Sequence, residues 1–174
     1  MKPVVRKRHE RGAEIVEFSL VLLPMMAAIT VMMDISWALF TKATLQRAVR
    51  VGVSAGTTLT GAQISSGCLT AAIKNVVQQN SFGLLSGSSG LSSIKVNYLQ
   101  QTSGGAVTDV SAQTYGNMPG NIVQVSVPTF QLIPLLPRIV DWNSSPDNAA
   151  MTISVYSAGL IQPSQDLPCI GAAP

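Results

Sequence analysis

Apolar positions follow two different rules along this chain. From Phe18 to Met33 sixteen residues run without a charge, and apolar character resumes over Ile35 to Phe40. A hydrocarbon core about 30 Å thick takes ~20 helical residues at ~1.5 Å each, so the stretch from about 15 to 40 fits one transmembrane helix. Past it the spacing becomes that of an amphipathic helix. Thr41, Leu45, Ala48, Val49 and Gly52 share a face, with Lys42, Gln46, Arg47 and Arg50 between them. The two patterns join without a break, predicting a continuous helix from about Ala13 to Ala55, a rod of roughly 60 Å whose outer half must pack on something outside the bilayer.

The remaining chain supplies that cover. Cys68 to Asn80 sets Leu69, Ile73, Val76 and Val77 on one face, a second short helix. Ser81 to Ser93, with "SGSSG" at Ser86 to Gly90, reads as turn and linker chemistry. Strict alternation then marks strands at Ile94 to Leu99, Asn121 to Pro128 and Met151 to Ser157. Phe130 to Trp142 is apolar but broken by Pro134 and Pro137, which predicts a loop or short helix that either covers the core or offers a contact patch. The expected fold class is α+β: a long N-terminal helix whose outer half lies on a small antiparallel sheet of three to four strands, with one extra short helix.

Composition agrees with a membrane segment joined to a Ser/Gly/Thr-rich exported domain, since hydrophobic residues make up 47% and charged residues only 11%. Charge is uneven. Met1 to Arg50 carries eight Lys/Arg against four Asp/Glu, and Val51 to Pro174 carries three against four. Lys2, Arg6, Lys7, Arg8 and Arg11 directly precede the apolar run. That placement predicts a cytoplasmic N-terminus and an exported C-terminal part, and argues against nucleic-acid binding. A cleaved secretory signal is the alternative, with Ser36-Trp37-Ala38 as its small-x-small site, but the apolar run exceeds the usual ~7–15 residues.

Within the span, Pro24 should bend the helix modestly, while Met25-Met26, Met32-Met33 and Ala27-Ala28 offer adaptable or small packing surfaces. Asp34 falls close to the far interface, near Trp37, where it is either solvated or paired inside the membrane. Cys68 and Cys169 both lie in the exported part, where an oxidising compartment favours a disulfide; two buried free thiols are the alternative. A metal site has little support, because His9 in the basic tail is the one histidine. No nucleophile–base pair, phosphate-binding loop or cofactor motif is present, so the sequence points away from an enzyme and from a small-molecule substrate.

Glu17 is the anomaly. A carboxylate at the mouth of an apolar helix costs about 2.5–3.5 kcal/mol on insertion scales unless a partner uses it. The combination of a basic tail, Gly12, Ala13, Glu17 and an apolar helix resembles the type IV prepilin processing signal. "RGAEIVEFSLVLLPMM" followed by "DISWALFTKATLQRAVRVGVSAG" (Asp34 to Gly56) is similar to the N-terminal region of the TadE-like family, pseudopilins of the tight-adherence (Flp) pilus machinery. The resemblance implies a pilin-like subunit in a bacterial inner membrane, cut after Gly12 by a prepilin peptidase. The parts would be a basic cytoplasmic leader (1–12), the long helix (13–56) and an exported domain (57–174). Its partners would be other pilin-like subunits, pilus assembly proteins and the peptidase. Major pilins of such systems are short helical peptides, so the roughly 120 residues after the helix favour a minor or accessory subunit. Cleavage would free a cationic amine on Ala13, one helical turn from Glu17, which could neutralise it or a neighbouring subunit's amine. Alternatively, Glu14 and Glu17 complement the positive end of the helix dipole, worth about 0.3–1 kcal/mol each. A permanently anchored, exported binding or adhesion module is the second functional reading.

Overall fold

Neither Gly52 nor Pro24 ends the first helix. The computed structural model describes residues 10–59, 69–113, 115–134 and 150–162, and in it α1(Glu10–Thr58) is continuous over 49 residues. It begins at Glu10, about one turn earlier than periodicity predicts. It then runs through Pro24, whose missing N–H costs a single bond in an otherwise unbroken ladder. The chain divides into two compact units, Met1–Ala38 with Ile133–Ala150 in one and Leu39–Leu132 with Met151–Pro174 in the other.

In the second unit, α1 is followed by α2(Leu69–Gln79), α3(Gly87–Ser93) and the strands β1(Lys95–Gln101), β2(Val107–Asp109), β3(Ile122–Leu132) and β4(Met151–Leu160). The strands form a four-stranded antiparallel sheet in the order β2-β1-β3-β4. The predicted alternation holds: Val96 and Tyr98 on β1, Val123, Val125 and Val127 on β3, and Ile153 and Val155 on β4 are all buried. Register pairs Val96 with Val125, and Val125 with Ser157, so these side chains stand on one face. That face meets Leu45, Ala48, Val49 and Val53 of α1 and Ile73 and Val77 of α2, all within the core.

Three local features depart from the sequence-based expectation. Phe130 to Leu132 continue β3 instead of opening a loop, because the register shifts between Val127 and Phe130 and two residues, Pro128 and Thr129, oppose one on β4. The bulge places a proline where no ladder N–H is needed and returns the next residues to the strand. The "SGSSG" segment is the start of α3 and not a linker. Gly87, at φ 71°, begins that helix, and Gly90 is buried where a Cβ would lie 2.2 Å from the backbone carbonyl of Leu85. The fourth strand, β2, has three exposed residues and no buried alternation to betray it.

Glycines set the interlayer distances. A Cβ on Gly52 would lie 2.3 Å from Cγ2 of Val77, one on Gly56 2.7 Å from Cδ1 of Ile73, and one on Gly159 2.7 Å from Cγ1 of Val53. Gly52 and Gly56 are four apart on one face of α1, so the backbone of α1 sits directly on α2 there; Gly159 lets β4 approach the same helix. Thr70 Oγ1 and Tyr98 Oη, 2.9 Å apart, satisfy each other inside this core.

Candidate functional site

From Glu14 to Met33 the helix has no buried face: Ile15, Val16, Phe18, Leu20, Val21 and Leu23 are each 60% or more exposed, with Ile29 and Thr30 half-buried further along. Leu23 is 72% exposed and Leu20 71%. A helix that is apolar on every side and uncovered suits a hydrocarbon solvent or a bundle of other helices. α1 is long and apolar enough to cross a membrane.

Polar groups inside that stretch are handled as hydrocarbon demands. The Ser19 hydroxyl donates to the carbonyls of Ile15 and Val16. Thr30 donates to Ala27 at 2.8 Å and Met26 at 3.2 Å, and Ser36 to Met32 at 2.8 Å. Each hydroxyl is thus satisfied on its own helix, at i−3 or i−4, which removes the cost of burying it in lipid. Pro24 leaves the carbonyl of Leu20 without its usual i+4 donor.

Glu14 and Glu17 are the exceptions, both exposed at the N-terminal mouth of the apolar run. Gly12 and Ala13 lie in the first turns of α1, so Glu17 follows Ala13 by one helical turn on the same side. The Gly12–Ala13 bond is helical. Any enzyme that cleaves it must first unwind that turn, which glycine makes cheap by about 1 kcal/mol. Asp34 is half-buried, and Trp37, three residues on, is 50% exposed. Cys68 and Cys169 lie outside the described residues.

In the second unit, two charged groups depart from their ordinary ionisation. The Asp109 carboxyl is held low by the Ser111 hydroxyl and, second, by the Ser111 N–H, which donates at 2.9 Å in an Asx-type turn. The Lys74 amine is pushed down by burial and then by the charge of Lys95. Neither belongs to a chemical constellation. Among the described residues no group of three His, Cys, Asp or Glu side chains is placed to hold a metal ion.

The close glycine contacts on the outer half of α1 are what motif reading passed over. The second helix was predicted from its own periodicity, but not that Gly52 and Gly56 pack on it.

No curated protein and no solved structure matches the chain. The family model described as TadE-like protein matches residues 12–54, the segment holding Gly12, Ala13, Glu17 and most of α1. Over those residues, a continuous and uncovered apolar helix, the chain is similar to the TadE-like family.

Proposed function

We propose that this chain is a minor pseudopilin of a tight-adherence pilus machinery, a structural part and not a catalyst. It is anchored by α1 in a bacterial inner membrane with its N-terminus cytoplasmic. Residues 1–12 form a leader that a prepilin peptidase removes after Gly12, 13–56 the assembling helix, and 57–174 an exported domain. The observation that carries this reading is Glu17, an exposed carboxylate at the mouth of an uncovered apolar helix, within the segment that matches the TadE-like model. A carboxylate entering lipid costs about 2.5–3.5 kcal/mol, and a cationic amine on Ala13, its own or a neighbour's, offsets that cost as helices bundle.

Mass spectrometry of the N-terminus, in cells with and without the machinery's peptidase, tests the processing step. Ala13 as the first residue only when the peptidase is present is expected; an intact Met1 in both refutes it. Glu17→Ala should still insert in the membrane and lose co-purification with pilin-like subunits. Normal piliation in that variant refutes the role given to Glu17.

The second reading, a permanently anchored binding module, draws on the exposed sheet surface, where Tyr156 is 76% and Leu160 59% exposed on β4. It predicts an uncut N-terminus and indifference to Glu17→Ala.

A further inference from the structure

The sheet ends in two unlike edges. In the order β2-β1-β3-β4, β2 closes one side with three residues and the acid Asp109, while β4 opens the other with ten residues, Met151 to Leu160, that include no charge and no proline. Edge strands are kept from pairing by shortness, charge, proline or a cover. β2 carries the first two of these devices, and the sequence of β4 carries none.

The direction of the β4 backbone follows from the bonds at its end. The Ile161 N–H donates to the Asn121 carbonyl at 2.8 Å, and the Ile161 carbonyl accepts from the Gly120 N–H at 3.0 Å, so Ile161 turns both groups toward the β3 side. Successive residues of a strand turn them to opposite sides. Register is unbroken from Ile122 opposite Leu160 to Val127 opposite Val155, so Val155, Ser157 and Gly159 face β3 while Tyr156, Ala158 and Leu160 face outward. The extra residue of the bulge lies on β3, and the buried Ile153 and Val155 carry the β4 alternation through to an outward Ser154. The side chains of Ser154, Tyr156, Ala158 and Leu160 are all exposed, and among the described residues no backbone group pairs with this edge.

A row of unpaired N–H and C=O groups has one geometric complement, another extended backbone. Segments of the same chain fit poorly. Pro134, Pro137 and Pro146 interrupt the sequence before β4, Pro163 and Pro168 the sequence after it, and Gly61 and Gly67 the stretch 60–68. β4 is itself the charge-free, proline-free strand of matching length. Set antiparallel to its own copy, it meets no like charge, places Tyr156 against Tyr156 on the two-fold axis, and Ser154 against Ala158 beside it. Addition then stops, because both outer edges of the joined sheet are β2.

We propose that β4 pairs antiparallel with β4 of a second copy, joining two four-stranded sheets into one continuous sheet. This goes beyond the pseudopilin reading and does not depend on it, since the contact lies wholly between the strands of the second unit.

The test uses the full chain in membranes, expressed as a mixture of isotopically light and heavy copies with a diazirine photo-crosslinker replacing Ser154. The expected product is a light–heavy dimer in which the Ser154 site is joined to a peptide from Met151 to Leu160 of the other copy. Tyr156→Lys alone and Tyr156→Glu alone should each lower its yield at least tenfold, because like charges then meet on the axis. Co-expressing the two variants should restore the yield, which also shows that each of them folds. A crosslink within one copy, a crosslink to a different protein, no crosslink, or a dimer whose yield ignores these charges each overturns the proposal. N-terminal processing measured in the same cells is expected to be unchanged by the Tyr156 substitutions, so failure here leaves the pseudopilin reading to its own experiment.

Discussion

Gly52→Ala is the sharpest probe of how the long helix is seated. The new methyl would lie 2.3 Å from Cγ2 of Val77, against a comfortable carbon–carbon separation of about 3.5 Å, so roughly 1.2 Å of adjustment is required. Val77 is fully buried and β-branched on α2, with one favoured rotamer, so the methyl cannot swing aside and the helices must part. Overpacking of this kind costs about 1–3 kcal/mol, and here the upper part of that range applies. Replacing glycine by alanine inside a helix returns about 1 kcal/mol, leaving a net loss of about 1–2 kcal/mol. Val77→Ala removes the obstructing methyl, so in that background Gly52→Ala should stabilise by up to about 1 kcal/mol, a coupling of about 2–3 kcal/mol. Gly56→Ala is the internal control. Its contact at 2.7 Å is with Cδ1, the movable end of Ile73, so strain and propensity should nearly cancel. Urea titration of the full chain in detergent micelles, read by pulse proteolysis, gives all the values. Equal effects of Gly52→Ala in both backgrounds, or a greater cost at Gly56, would refute helix-on-helix contact at Gly52.

Thr41 Oγ1 is buried without a hydrogen-bond partner among the described residues, so Thr41→Val, nearly isosteric, should stabilise by about 1–2 kcal/mol in the same titration; a loss would mean the hydroxyl is bonded. Asp109 has a lowered pKa, so it contributes stability above its unfolded value of about 3.9, and that contribution is lost as pH falls through the folded value. Ser111→Ala should move the Asp109 titration upward in carboxyl-carbon NMR, and an unmoved curve would deny the hydroxyl its part. A Cys68–Cys169 bridge would close a loop of about 100 residues, worth about 4–5 kcal/mol in chain-entropy terms. Intact mass after alkylation without reductant should show no free thiol, and a double adduct would remove the bridge.

Much of the fold was legible because it rests on periodicity. The switch from a charge-free run to 3.6-residue spacing near Phe40 predicts one helix with two environments, and the alternation of Val96 with Tyr98 and of Val123, Val125 and Val127 predicts the central strands. What escaped has a physical cause in each case. α3 is Gly and Ser apart from Leu91, and their weak helix propensity is overridden by packing of the buried Gly90 against the Leu85 backbone. β2 has no buried side chain, so no pattern exists to read; its place comes from pairing Leu99 with Asp109 and Gln101 with Val107. The strand extension over Phe130 to Leu132 depends on a two-against-one bulge at Pro128 and Thr129, and a proline there reads as a strand end. For the candidate site, the acid at Glu17 was visible from cost alone.

The two ends of α1 follow opposite solvation rules, and the difference constrains how the chain can work. Below Ala38 the side chains are exposed and apolar, hydroxyls are satisfied on their own backbone, and nothing specifies a unique neighbour. Above it one face is closed by Gly52 and Gly56 against α2, and the other carries long cations in water. Apolar contact in lipid is non-directional, so it can hold rods together without setting their register. A helix with both regions therefore divides its work: the acid at Glu17 would join the bundle, and the Gly52–Gly56 face seats the helix on its own folded domain.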